Sequence, residues 1–315
     1  MNYYIILISI LILVCIALSY KPLREHFWSC FGCPINPFEW DPKPQEIIYA
    51  DQTKEFLNKC ETFVSQNSSK IESLHRIPKK IWIYYPYQKN SRHWWDYGSR
   101  LHYQTNPGLF HTTLQNLRRK LPDYEVVVLD QTNVEGLTNI PMGLLENEML
   151  IQATIMYKYG GIWLSAYSYP VNSIDWMLDE KCLLAFVSYE WNKPTPCASL
   201  PGQKIWRDMI YYIAYNPLTY SDYSDFNKFW YFANCNRADV RLVDGRIFGL
   251  LDRQGRDITF VNLTAQSDTE LDPNCSIVCI DKSEELRRDT QWIILYDCNS
   301  LKENSQTLWL NKLIA

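Results

Sequence analysis

Positive charge is not in excess in this chain. Thirty-one Lys and Arg face 35 Asp and Glu, for a net charge of -4 and an isoelectric point near 5.8. Phosphate backbones are gripped by basic surfaces, so a general nucleic-acid binder is excluded and no nucleic-acid partner is expected. Histidine is scarce: five in all, the last at His111, so everything beyond that point lacks an imidazole. No Lys or Arg precedes Lys21. No internal repeat and no low-complexity tract is present, which argues against a solenoid or a biased, unfolded chain.

What is there is apolar and aromatic. A hydrophobic fraction of 47% and an aromatic fraction of 15% are enough for a sizeable core. The 12 Trp and 22 Tyr divide between core and stacking faces for sugar rings or bases in a proportion that composition does not set. Residues 3–20 carry no charge and are dominated by Ile, Leu and Val. About twenty such residues cross the bilayer core as a helix, so residues 1–20 are expected to be a transmembrane anchor. The rival is a cleaved signal peptide with Ala17-Leu18-Ser19 as its cleavage site, but the basic n-region is missing. Lys21 and Arg24 after the run place the following domain in the cytosol by the positive-inside rule. Ten cysteines and sequons at Asn67, Asn262 and Asn274 point the other way, so the side stays open. Cys30-Phe-Gly-Cys33 fits a disulfide, half a metal site or a palmitoylation spot equally.

Residues 21–75 are expected to comprise a stalk rich in Pro and aromatics, over roughly 21–45, and a helix over 53–66. Phe56, Leu57, Cys60, Phe63 and Val64 share one face of it, as a docking helix requires. The main domain spans 76–315. Strands are expected over 77–85, 124–129, 162–169 and 182–187, with helices over 109–121 and 146–159 between them. Further strands are expected at 241–248, 252–260 and 292–296, and a helix at 204–215. Alternating strands and helices predict an α/β fold with a largely parallel sheet, and such sheets take ligands at the carboxyl ends of their strands.

Three blocks occur in order: Ile77-Pro-Lys-Lys-Ile-Trp82, Leu121-Pro-Asp-Tyr-Glu-Val-Val-Val-Leu-Asp130 and Tyr157-Lys-Tyr-Gly-Gly-Ile-Trp-Leu164. Together they resemble the DXD-motif glycosyltransferases of the capsular-polysaccharide-synthesis, initiating-mannosyltransferase-like type. The resemblance covers roughly residues 76–170. It implies a GT-A fold, a Rossmann-type mixed sheet flanked by helices. It also implies a nucleotide-sugar donor, a glycan or lipid-linked acceptor, and a Mn²⁺ or Mg²⁺ ion that neutralises the departing diphosphate.

The acidic motif that would hold this ion has lost its carboxylates. Ser165 stands at the first acidic position and Tyr167 at the second. Hydroxyls hydrogen-bond a ribose or phosphate but do not replace carboxylates on a hard cation, so no metal ligand is assigned. The family's Asp-x-x-Arg on the preceding helix is matched by Met149 and Gln152, and its late histidine has no counterpart. Metal-independent donor binding and a catalytically inactive, glycan-binding or structural protein both fit these losses.

The remaining donor-site candidates each have a structural alternative. Trp82 and Tyr84 point the same way from one strand, as a wall for the base or as core aromatics. Asp130 at a strand end holds a ribose hydroxyl or simply a turn. Gly160 and Gly161 stop a helix and allow close backbone approach. Asp222 and Asp225 are candidates for the catalytic base on the acceptor side, or cap the helix after them. His93, Trp94 and Trp95 form an acceptor loop or a buried clamp.

Overall fold

A computed structural model describes residues 51–68, 71, 74–85, 107–130, 133–140, 148–186, 195–215, 238–264, 269–280 and 312–313. All belong to one compact unit, Tyr49–Ala315. The expected anchor and Cys30-Cys33 lie outside the described residues, as do the aromatic loop at 93–95, the acids at 222 and 225, and the expected strand at 292–296. Among the described residues no helix is long and apolar enough to cross a membrane.

The elements follow from local sequence. Helix α1 (Asp51–Ser68) buries Phe56, Cys60, Phe63 and Val64, spaced at helical intervals on one face. Strand β1 (Lys80–Tyr84) alternates: Ile81 and Ile83 face one side of the sheet, Trp82 and Tyr84 the other. Helix α2 (Pro107–Lys120) starts on proline, whose fixed φ suits a first turn, and leads to strand β2 (Glu125–Leu129). A one-and-a-half-turn helix, α3 (Val134–Thr138), follows. Helix α4 (Glu148–Tyr159) is buried at every position from Leu150 to Tyr157, so it is a core helix rather than an amphipathic one.

Strands β3 (Gly161–Leu164), β4 (Tyr167–Pro170), β5 (Cys182–Phe186) and β6 (Cys197–Ser199) come next, with a 3₁₀ turn over Asp175–Asp179. Helix α5 (Lys204–Tyr215), β7 (Arg241–Asp244), the single turn α6 (Phe260–Thr264) and β8 (Ile277–Ile280) complete the described order. Six strands form one sheet in the order β2-β1-β3-β6-β5-β7. β6 runs antiparallel to both its neighbours, and the other pairs are parallel. The architecture is therefore mixed α/β with a mostly parallel central sheet. One face is covered by α2 and the two-stranded β4–β8 ribbon, the other by α1, α4 and α5.

The structure departs from the expected elements at several points. The strand expected over 162–169 is two strands, β3 and β4. The Ser165 hydroxyl receives the Tyr167 N–H (3.4 Å) and donates to the Ile280 carbonyl, which turns the chain off the main sheet and onto β8. The strand expected over 252–260 is a loop and a helical turn. The Asp252 carboxylate takes the Arg256 backbone N–H at 2.8 Å and its guanidinium at 2.6 Å, closing a tight loop through Gly255. The strand expected over 241–248 ends at Asp244, whose carboxylate takes the Arg246 N–H at 2.9 Å, and the short β6, β8 and α3 are not expected, being too brief for a periodic signal.

The Gly160-Gly161 pair sits where α4 hands over to β3, at the amino end of that strand. The Trp82 indole N–H donates to the Gly160 carbonyl at 2.7 Å. A Cβ on Gly161 (φ 106°) would lie 2.6 Å from the Lys80 carbonyl oxygen and 2.9 Å from the Trp82 indole nitrogen. Gly161→Ala combines positive-φ strain with overpacking and is expected to cost about 2–4 kcal/mol. Gly136→Ala, inside α3 with nothing within 4 Å of the new methyl, should instead stabilise by up to ~1 kcal/mol. Urea denaturation of the two variants checks both signs.

Candidate functional site

Strands β1, β2 and β3 run in the same direction, with Ile83 level with both Val128 and Leu164. The chain therefore leaves the three strands at one edge, at Tyr84-Tyr85, Asp130 and Ser165. This is the edge where open α/β sheets receive ligands.

Tyr84 is 7% exposed, and burial pushes its phenol up to about 12, with the carboxylates of Glu148 and Asp130 adding to the shift. Both carboxylates therefore lie close enough to disfavour a phenolate. Glu148, in the first turn of α4, was not singled out from the sequence. The signal was available, since it is the acid immediately before Met149 on the helix where an acidic donor contact was sought. Asp130 also has a structural duty. Its Oδ1 accepts the Asn133 N–H at 3.1 Å, its own N–H donates to Asn133 Oδ1 at 3.0 Å, and its carbonyl starts α3. Tyr85 is fully buried on the opposite face of the sheet, stacked on Phe110 with ring centroids 3.9 Å apart.

The other sequence candidates are not brought to this edge. Trp82 is 1% exposed, packed against Tyr159 and bonded to Gly160, so its ring is enclosed in the core rather than presented to a base. Gly160 and Gly161 lie at the opposite edge of the sheet. A Cβ on Gly160 would meet the Ser199 carbonyl oxygen at 2.6 Å, which is the reason for glycine there. Tyr167 is fully buried, its ring edge-on to Phe260 at 5.1 Å, and belongs to the core between the sheet and the β4–β8 ribbon. Gln152 is buried under the sheet with its amide nitrogen 3.3 Å from Cys197 Sγ, and Met149 packs against the same core.

Ser165 alone of the two motif positions stays half-buried at the edge, with its hydroxyl engaged by Ile280. The residues at the acidic-motif positions therefore do not fit a divalent cation. Among the described residues no group of three His, Cys, Asp or Glu is placed to hold one. What the edge offers is two carboxylates and a protonated phenol, a set that accepts from and donates to sugar or ribose hydroxyls.

Replacing both carboxylates, Asp130→Asn with Glu148→Gln, is expected to lower the Tyr84 pKa while burial keeps it above the ordinary tyrosine value near 10. A ¹³C-tyrosine NMR titration reads this directly. An unchanged titration would place the carboxylates too far from the phenol to act on it.

No family model and no curated protein matches the chain. A solved structure titled "PaToxG Glycosyltransferase" aligns with 58% of this chain and 76% of its own, at 11% identity and a TM-score of 0.30. A likeness at that level has no bearing on the site.

Proposed function

We propose that this chain is a glycosyltransferase-like protein of the GT-A type. It binds a nucleotide-sugar donor across the carboxyl ends of β1, β2 and β3 and passes the sugar to a glycan or lipid-linked acceptor. The observation that supports this most is that the charges of Asp130 and Glu148 both bear on the Tyr84 phenol, at the edge where the three parallel strands end. In this proposal the two carboxylates receive donor hydroxyls, and no metal is held at Ser165 and Tyr167. Asp222 or Asp225 serves as the acceptor-side base, on the sequence alone. Residues 1–20 anchor the protein in a membrane, on the same ground.

A second reading, a catalytically silent protein that binds a glycan or serves a structural role at a membrane, is favoured by one set of contacts. Tyr167 and Gln152, at two positions where the family contacts donor or metal, are both fully engaged in the core.

Melting of the full-length protein with UDP- and GDP-sugars, with and without Mn²⁺, tests the donor proposal. A bound donor stabilises by mass action, about 2.7 kcal/mol at a hundredfold excess over Kd. The expected result is a Mn²⁺-independent rise in Tm with one donor class, reduced at least tenfold in apparent affinity by Asp130→Asn with Glu148→Gln. No rise with any donor overturns the proposal. A rise that requires Mn²⁺ overturns the metal-free site. Turnover of the bound donor then separates the transferase from the silent reading.

A further inference from the structure

At the opposite edge of the sheet lies a hollow of about 370 Å³, between the carboxyl end of α2 and the turn that follows β4. That volume is at the small end of the roughly 300–1,000 Å³ range of small-molecule sites. Its apolar surface comes from Leu121, Pro122, Pro170 and Val171, the last 40% exposed at the rim. Its polar groups are Asp123, Asn172, Ser173 and Asp175, with Tyr124 and Lys120 in the wall.

The charges around the hollow are matched before any ligand arrives. Lys120 Nζ donates to the carbonyls of Pro170 (3.3 Å) and Leu313 (3.0 Å). Lys79 lies 3.4 Å from Asp175 and 3.9 Å from Asp123. Two ammonium groups and two carboxylates therefore balance in number, with Lys79 shared by both acids and Lys120 held by carbonyls. Arg118 and Arg119, in the last turn of α2, are not in the lining. A phosphate or sulfate finds Lys120 already donating to two carbonyls, and an amine finds both carboxylates shared with Lys79.

The polar groups are nevertheless held in place. Tyr124 OH donates to Asp175 Oδ1 at 2.7 Å, Ser173 Oγ donates to Asp175 Oδ2 at 3.1 Å, and Asn172 Nδ2 donates to the Cys275 carbonyl at 2.7 Å. Asp175 Oδ1 is shared by Tyr124 and Lys79, while Oδ2 takes only the Ser173 hydroxyl and retains a second lone pair for an incoming hydroxyl. Fixed acceptors beside small apolar rings suit a ligand with hydroxyls around its rim, a C–H face and no charge. We propose that this hollow binds a neutral sugar residue and is a second carbohydrate site, at the edge of the sheet opposite the donor site. The proposal stands on the lining of the hollow and does not rest on donor binding.

Saturation-transfer NMR on the full-length protein in phosphatidylcholine nanodiscs tests it. The probes are maltose, cellobiose, methyl mannoside and N-acetylglucosamine, with glucose 6-phosphate and glucosamine as charged comparators. At least one neutral sugar should receive saturation on its ring C–H protons, and the charged comparators should compete at least fivefold less well. Val171→Trp fills the hollow from an exposed position and should abolish the transfer, leaving Tm and any nucleotide-sugar stabilisation unchanged. Asp123→Ala, at an 80% exposed side chain, should weaken the transfer at least threefold and serves if the tryptophan variant is unstable. Absence of transfer from all four neutral sugars overturns the proposal. So does transfer that survives both substitutions, which locates it elsewhere, or a charged comparator that outcompetes every neutral sugar.

Discussion

One hydrogen bond fixes the centre of this fold: the Trp82 indole N–H on the Gly160 carbonyl. A buried indole must find an acceptor, and an unmade bond would cost about 1–3 kcal/mol. Meeting that need places the turn between α4 and β3 directly on the side chain of β1. A Cβ on Gly160 would then lie within 3 Å of the Ser199 carbonyl, and one on Gly161 within 3 Å of the Lys80 carbonyl, so only glycine fits. Strand β3 enters the sheet beside β1 in a register set by this contact, and β2 pairs with the other side of β1. The level exit of three parallel chains at the opposite edge, and hence the place of the candidate site, follows from it.

That constraint explains which parts of the structure were legible in the sequence. Strands β1 and β2 and helix α4 carry long apolar or alternating patterns, so they stand where periodicity puts them. Elements whose existence depends on a distant partner were not legible. β6 is three residues long and is a strand because β3 and β5 flank it. The split of β3 from β4 depends on a serine hydroxyl reaching Ile280, 115 positions away. The loop at Asp252 closes on a side-chain bond to Arg256 that strand propensity does not register.

The site was legible in part, for a related reason. A position relative to a motif says which residue occupies a place, not which way its side chain faces. Trp82 and Tyr84 share one face of β1, yet only Tyr84, nearer the strand's end, comes close to the two carboxylates. Tyr167 occupies an acidic-motif position but turns into the apolar layer against Phe260. Glu148 carries no motif, although its charge and that of Asp130 both raise the Tyr84 pKa.

The bond between Ser165 and Ile280 also decides which side chains this turn can hold. An aspartate at 165 would set a carboxylate against a carbonyl oxygen, two acceptors with no proton between them. An aspartate at 167 would exchange a buried phenol ring for a charge in an apolar layer. Neither substitution alone builds a cation site, and both together would first have to displace β8. The packing around positions 165 and 167 thus selects against carboxylates there, and introducing them would lower stability before any ion could bind.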